Sequence, residues 1–163
     1  MILSNYKKIL LDNYTFPAKQ VSFEELQKNS NNWQVPFLTF PSLEKGCGDI
    51  LHLLVKKKAD SLEKCQFSAH QSCLITIAAA NIFCGCCEGK SSQFVQNLIN
   101  NCQAMLEGKE YNLESCPDLQ AFSDLVKFPH RLECLRIVIR GMEQVINQDK
   151  KLGTLSGTEN NKT

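Results

Sequence analysis

No apolar stretch in this sequence approaches the roughly 20 uninterrupted residues that a membrane-spanning helix requires. The opening segment from Met1 to Leu11 is broken by Asn5, Tyr6, Lys7 and Lys8, so it also lacks the continuous apolar centre of a signal peptide. The expected location is therefore the cytoplasm, with no membrane partner. An excess of charge of either sign is missing too: 18 Lys and Arg stand against 17 Asp and Glu, a net charge of +1. That balance provides no global field to gather nucleic acid, and the Lys56-Lys57-Lys58 run reads as a solvated turn rather than a phosphate-binding patch. No internal repeat is present.

Cysteine is what the chain has in abundance. It carries nine, an odd number that cannot pair completely within one chain. Without an export signal, such cysteines fit free thiols or metal ligands better than a disulfide framework. The 163 residues, 43% of them hydrophobic, suffice for one domain with a real core, expected over residues 1–147. Residues 148–163 are polar, rich in Lys, Gly, Ser, Thr and Asn, and are expected to form a disordered tail.

Along the chain, Ser4 is placed to cap a short amphipathic helix over Asn5 to Leu11. An Asn-rich polar stretch follows. Trp33 to Phe40 reads as a first, edge strand bounded by Asn and Pro. Ile50 to Val55 is a second apolar run, and Lys56 to Asp60 reads as a polar turn. In Leu62 to Ala69, Cys65, Phe67 and Ala69 alternate with Lys64, Gln66 and Ser68, the period of a strand with one buried face. From Cys73 the sequence loses its polar stripe, which predicts a buried helix ending near Gly85 and Gly89. Ser91 or Ser92 can cap a further helix that Gly108 stops. Residues 109–117 read as a loop, Asp118 to Val126 as a short helix, and Pro129 as the first turn of a last helix through Ile146. The predicted class is α+β: a small three-stranded antiparallel sheet packed against a C-terminal set of helices.

The chemistry centres on three places. Gly46-Cys47-Gly48-Asp49 lies between two strands, and in extended backbone Cys47 and Asp49, as positions i and i+2, project to one side. A tight glycine turn with an incidental cysteine explains the tetrapeptide equally well. Cys73 stands where the buried helix begins, so unpaired N–H groups and the positive end of the helix dipole favour its thiolate. Cys134, near the start of the last helix, has a weaker form of the same setting. Each of these two can also be read as a small buried hydrophobe. Cys84, Cys86 and Cys87 are denser, but they end an apolar helix and match no paired zinc-ligand spacing, so packing is the simpler account. Cys65 and Cys102 fall on apolar faces, and Cys116 before Pro117 reads as incidental. His52 lies in a strand. His70 is close enough to Cys73 to be a neighbouring group or a stray ligand, and His130 reads as a capping or surface residue.

Cys47-Gly48-Asp49, Cys73 opening an Ala-rich helix, and Lys127-Phe128-Pro129-His130-Arg131-Leu132-Glu133-Cys134 resemble, in that order, the three motifs of the U-type iron–sulfur cluster assembly proteins. Glu107-Gly108-Lys109-Glu110-Tyr111 and, more loosely, Asp12-Asn13-Tyr14 with Pro17 extend the likeness over nearly the whole chain. Among the branches it is most similar to the zinc-containing, SufU-like one. The scaffold branch has histidine before the last cysteine, where this chain has Glu133, and the segment from Cys73 to Cys134 looks longer here.

The resemblance implies the U-type fold and a zinc site formed by Cys47, Asp49, Cys73 and Cys134. It implies a cysteine desulfurase as partner, with iron–sulfur acceptor proteins downstream. The implied mechanism is sulfur acceptance: a desulfurase side chain replaces one cysteine on the zinc, and the freed thiolate, Cys47, attacks the terminal sulfur of the desulfurase persulfide. Arg131 matches a motif arginine and is expected to steady the anionic site by pairing with Asp49 or a thiolate. Asn13 replaces a histidine usual in the family, and Gln71-Ser72 replaces a glycine-rich approach to Cys73. Three other readings stand beside the sulfur acceptor. One is a scaffold on which a transient iron–sulfur cluster forms on Cys47, Cys73 and Cys134. The others are a structural zinc or interaction module and an enzyme with a cysteine nucleophile. Whether the chain turns over as an enzyme in its own right is left open.

Overall fold

Helices occupy both ends of the chain with a sheet between them. A computed structural model describes residues 2–43, 48–69 and 72–162, with side chains over 5–43, 48–69 and 72–148. Helices α1 (Ile2–Thr15) and α2 (Phe23–Trp33) precede strands β1 (Leu38–Pro41), β2 (Ile50–Lys58) and β3 (Ser61–Ser68). Then come α3 (Leu74–Cys87), α4 (Ser92–Leu106) and α5 (Leu132–Lys162), with 3₁₀ segments at Pro117–Lys127 and Pro129–Arg131 leading into α5. The sheet is antiparallel in the order β1-β2-β3. This is the predicted α+β class.

Helix α3 organises the core. Ile75 through Cys84 are all buried, and the helix packs against α1, β3 and α5 at once. A helix without a polar stripe can be stable only where it is covered on every side. Its one side-chain amide, on Asn81, is satisfied: Asn81 Nδ2 donates to Asn13 Oδ1 at 2.7 Å, and Lys19 N donates to Asn81 Oδ1 at 2.9 Å. Asn13, where the resemblance leads one to expect histidine, thus ties α1 to α3. At Gly141, α5 crosses the sheet so closely that an added Cβ would lie 3.3 Å from Phe40 and 3.4 Å from Leu53.

Several elements differ from the sequence reading. Helix α2 was not anticipated, because it buries only Leu26 and Ser30 and so carries little apolar periodicity. Its signal is the cap: Ser22 accepts a hydrogen bond from Glu25 N at 3.1 Å. Trp33 ends this helix rather than opening a strand, and β1 begins five residues later. Lys56–Lys58 belong to β2, since pairing with β3 supplies their backbone partners, and the turn contracts to Ala59-Asp60 with Ala59 at φ 54°. The register shift between Lys56 and Lys57 leaves Glu63 as an extra residue on β3, which lets both Leu62 and Cys65 face the core. Asp118 to Val126 lies within 3₁₀ turns, and the last α-helix starts at Leu132 after the 3₁₀ turn at Pro129. Helix α5 runs on through Lys162.

Candidate metal centre

Asp49, Cys73 and Cys134 reach one point from three elements. Asp49 immediately precedes β2, in the connection from β1, where Ser42 N donates to Asp49 O at 2.9 Å and Pro41 pairs with Ile50. The aspartate is thereby fixed at the end of the sheet. Cys73 is the N-cap of α3, in extended backbone, and Ser72 Oγ donates to Ile50 O at 3.3 Å, holding the helix start against β2. Cys134 lies in the first turn of α5. Two helix N-termini, each carrying a partial positive charge, therefore converge on two sulfurs and a carboxylate.

The geometry is close. Cys73 and Cys134 Sγ are 3.3 Å apart and hydrogen-bonded. One carboxylate oxygen of Asp49 and the two sulfurs all lie within 4.8 Å of one another. Cys73 N donates to Asp49 Oδ1 at 3.0 Å, and Thr76 Oγ1 donates to Asp49 Oδ2 at 2.6 Å. Asp49 and Cys134 are buried, while Cys73 is half-buried. The Cys134 thiol beside Cys73 favours the Cys73 thiolate most; Thr76 helps, burial and Asp49 oppose, and the Cys73 pKa falls from 9.0 to about 6.

The donors suit zinc. A tetrahedral site with Zn–S of about 2.3 Å and Zn–O of about 2.0–2.2 Å has ligand atoms roughly 3.5–3.8 Å apart. The observed spacing approaches that range, and two thiolates with a carboxylate are acceptable zinc ligands. Cys47, the expected fourth ligand and sulfur acceptor, lies outside the described residues, as do His70 and Gln71. Glu133 points elsewhere: its carboxylate pairs with Arg140 and accepts from Leu43 N at 3.4 Å. The residue that replaces histidine here is thus held in a partly buried ion pair. Arg131 has an exposed side chain, lining a cavity of about 570 Å³ with His130, Phe128, Tyr6 and Ile75, and has no ion-pair partner among the described residues. Of the two pairings expected for it, with Asp49 or with a thiolate, no ion pair with Asp49 is present among the described residues.

The other cysteines divide. Cys86 and Cys116 form a disulfide between the end of α3 and the turn before Pro117, so neither is a free thiol and Cys116 is not incidental. Their separation of 30 residues gave no hint of this; the chain turns back through α4 to bring their Cα atoms to 6.1 Å. Cys65, Cys84, Cys87 and Cys102 are buried thiols, and burial raises the pKa of each, to about 12 for Cys87 and Cys102. His52 bonds Thr39 Oγ1 at 2.9 Å and packs on Phe23, as a structural histidine. The sequence reading missed Thr76. Its signal was present: a single hydroxyl in the otherwise apolar run from Leu74 to Ala80.

No family model matches the chain. It is 24% identical over 147 residues to the zinc-dependent sulfurtransferase SufU of Bacillus subtilis, an alignment covering 89% of this chain and 91% of that one. The iron–sulfur cluster assembly scaffold protein IscU of Streptococcus pyogenes is 24% identical over 103 residues, covering 63% of this chain and 64% of that protein. In fold it matches the crystal structure of a SUF-system assembly scaffold protein from Fervidobacterium islandicum, with a TM-score of 0.70 at 21% identity, over 83% of this chain and 91% of that one. In sequence and in fold the chain is thus similar to proteins of iron–sulfur cluster assembly. Within that class the chain is similar to the U-type proteins, and to SufU in particular.

Proposed function

We propose that this protein accepts sulfane sulfur from the persulfide of a cysteine desulfurase, at a zinc–thiolate site formed by Cys47, Asp49, Cys73 and Cys134. The observation that carries the reading is the convergence of Asp49, Cys73 and Cys134 at two helix N-termini. When bound, zinc holds thiols deprotonated near neutral pH without redox chemistry of its own. The chain's own residues do the rest. Asp49, anchored by Cys73 N–H and the Thr76 hydroxyl, supplies an oxygen donor, and the helix ends stabilise negative sulfur. The Cys47 thiolate attacks the terminal sulfur of the partner's persulfide. The partner's S–S bond breaks, the partner cysteine leaves as thiolate, and Cys47 carries the persulfide onward.

Downstream acceptors of sulfur or of assembled clusters, and a cytoplasmic location, belong to the same proposal. Among the described residues no helix is long and apolar enough to cross a membrane. The Glu133–Arg140 pair favours sulfur acceptance over the scaffold reading, because it occupies the position from which the scaffold branch presents histidine. Arg131, exposed beside Phe128 on the cavity rim, is proposed to meet the desulfurase or the incoming anionic sulfur.

The test is metal and persulfide content after anaerobic purification, with and without a desulfurase and cysteine, for wild type and Cys47→Ala. One zinc per chain, with sulfur loading lost in Cys47→Ala, is expected. Iron and sulfide with visible charge-transfer absorption would replace the proposal with the scaffold reading. Neither metal nor sulfur would overturn the site.

A further inference from the structure

Thr76 is completely buried in the first turn of α3, yet its hydroxyl does not bond its own helix backbone. A buried threonine in a helix ordinarily back-bonds to a carbonyl three or four residues earlier. Here Thr76 Oγ1 lies 2.6 Å from Asp49 Oδ2, 3.2 Å from Cys134 O and 3.6 Å from Cys73 Sγ. One side chain therefore touches all three described ligand residues, which come from the β1–β2 connection, α3 and α5.

We propose that Thr76 is a positioning residue of the metal centre, whose hydroxyl sets the orientation of the Asp49 carboxylate and so the affinity of the site. The inference rests on reading the site as a zinc centre. A hydroxyl has one proton, and of its three neighbours the carboxylate is the closest and the charged one, so the proton goes to Oδ2. Cys73 N–H takes Oδ1. These two donors, one to each oxygen, restrain rotation of the carboxylate about its Cβ–Cγ bond, and one of its oxygens lies within 4.8 Å of both sulfurs. Without the hydroxyl, the donor 2.6 Å from Oδ2 is lost. Packing alone does not account for the threonine, since valine has the same shape and avoids burying a polar group.

The test compares wild type, Thr76→Ser and Thr76→Val for zinc affinity by chelator competition and for the visible absorption of cobalt-substituted protein. Each is accompanied by circular dichroism of the metal-free form. Loss of a hydrogen bond that orients a metal ligand lowers metal affinity about 10- to 100-fold. That loss and an altered cobalt spectrum are expected for Thr76→Val, with near wild-type values for Thr76→Ser. In an Asp49→Ala background, Thr76→Val should cause no further loss. Thr76→Ala serves the same comparison where the valine variant does not fold. Equal zinc affinity and cobalt spectra in wild type and a folded Thr76→Val overturn the role of Thr76 and leave the zinc centre standing. Absence of zinc binding by wild type overturns both.

Discussion

The sulfurs of Cys73 and Cys134 lie 3.3 Å apart, although 61 positions of sequence separate the two residues. The contact holds the start of α3 against the start of α5, and it places the Cys134 thiol where it can stabilise the ionised form of Cys73. With Cys73 ionised, the Cys134 thiol is its hydrogen-bond donor.

In metal-free protein carrying Cys47→Ala, Cys73 should titrate with a midpoint near pH 6, seen as thiolate absorbance at 240 nm and as preferential alkylation at pH 7. Cys134→Ala removes the largest cause and should move the midpoint upward. The sign for stability follows: a thiol with a lowered folded pKa contributes fully above its unfolded value near 9, and that contribution is lost as pH falls through about 6. Titration only above pH 8 would show that the two sulfurs are not in contact in solution.

Arg140→Ala leaves the buried carboxylate of Glu133 without its partner. Because Arg140 is itself partly exposed, the expected loss is about 1–3 kcal/mol in urea unfolding, less than for a fully buried pair. Arg140→Lys should recover part of it. An unchanged midpoint in Arg140→Ala would mean that Glu133 is satisfied by other groups.

The Cys86–Cys116 disulfide closes a loop across α4 and the turn before Pro117. Restricting the unfolded chain in this way is worth about 3–4 kcal/mol in the loop-entropy account. Reduction, or Cys86→Ser with Cys116→Ser, should lower the unfolding midpoint by a corresponding amount. Zinc affinity should change little, since Cys73 and Cys86 are at opposite ends of α3. Two free thiols at these positions in freshly isolated, unreduced protein would remove the basis for this expectation.

Truncation after Gln148 should leave zinc content, sulfur loading and unfolding midpoint within error of the full chain. Among the described residues the last buried core residue of α5 is Ile146, and the polar segment beyond is proposed to lie outside the domain. A fall in stability of more than about 1 kcal/mol, well above the usual effect of surface changes, would place that segment within it.

Much of this was legible in one dimension because some physical demands are local. The apolar run from Leu74 to Phe83 could only be a buried helix, the alternation around Cys65 and Phe67 could only be a half-buried strand, and Ser91 and Gly108 punctuate α4 as expected. Cys73 at a helix start follows from the same patterning, and so does Cys134 close to one. Other features depended on contacts between distant parts of the chain. Lys56–Lys58 are strand because β3 pairs with them, α2 is held by a cap and a single buried leucine, and Cys86 meets Cys116 only when α4 folds back. The sequence by itself determined which residues could bind a metal, through side-chain chemistry and helix ends. Tertiary structure alone decided that Asp49, Cys73 and Cys134 meet, that Glu133 turns away to Arg140, and that Thr76 touches all three, because those distances depend on how sheet, α3 and α5 pack together.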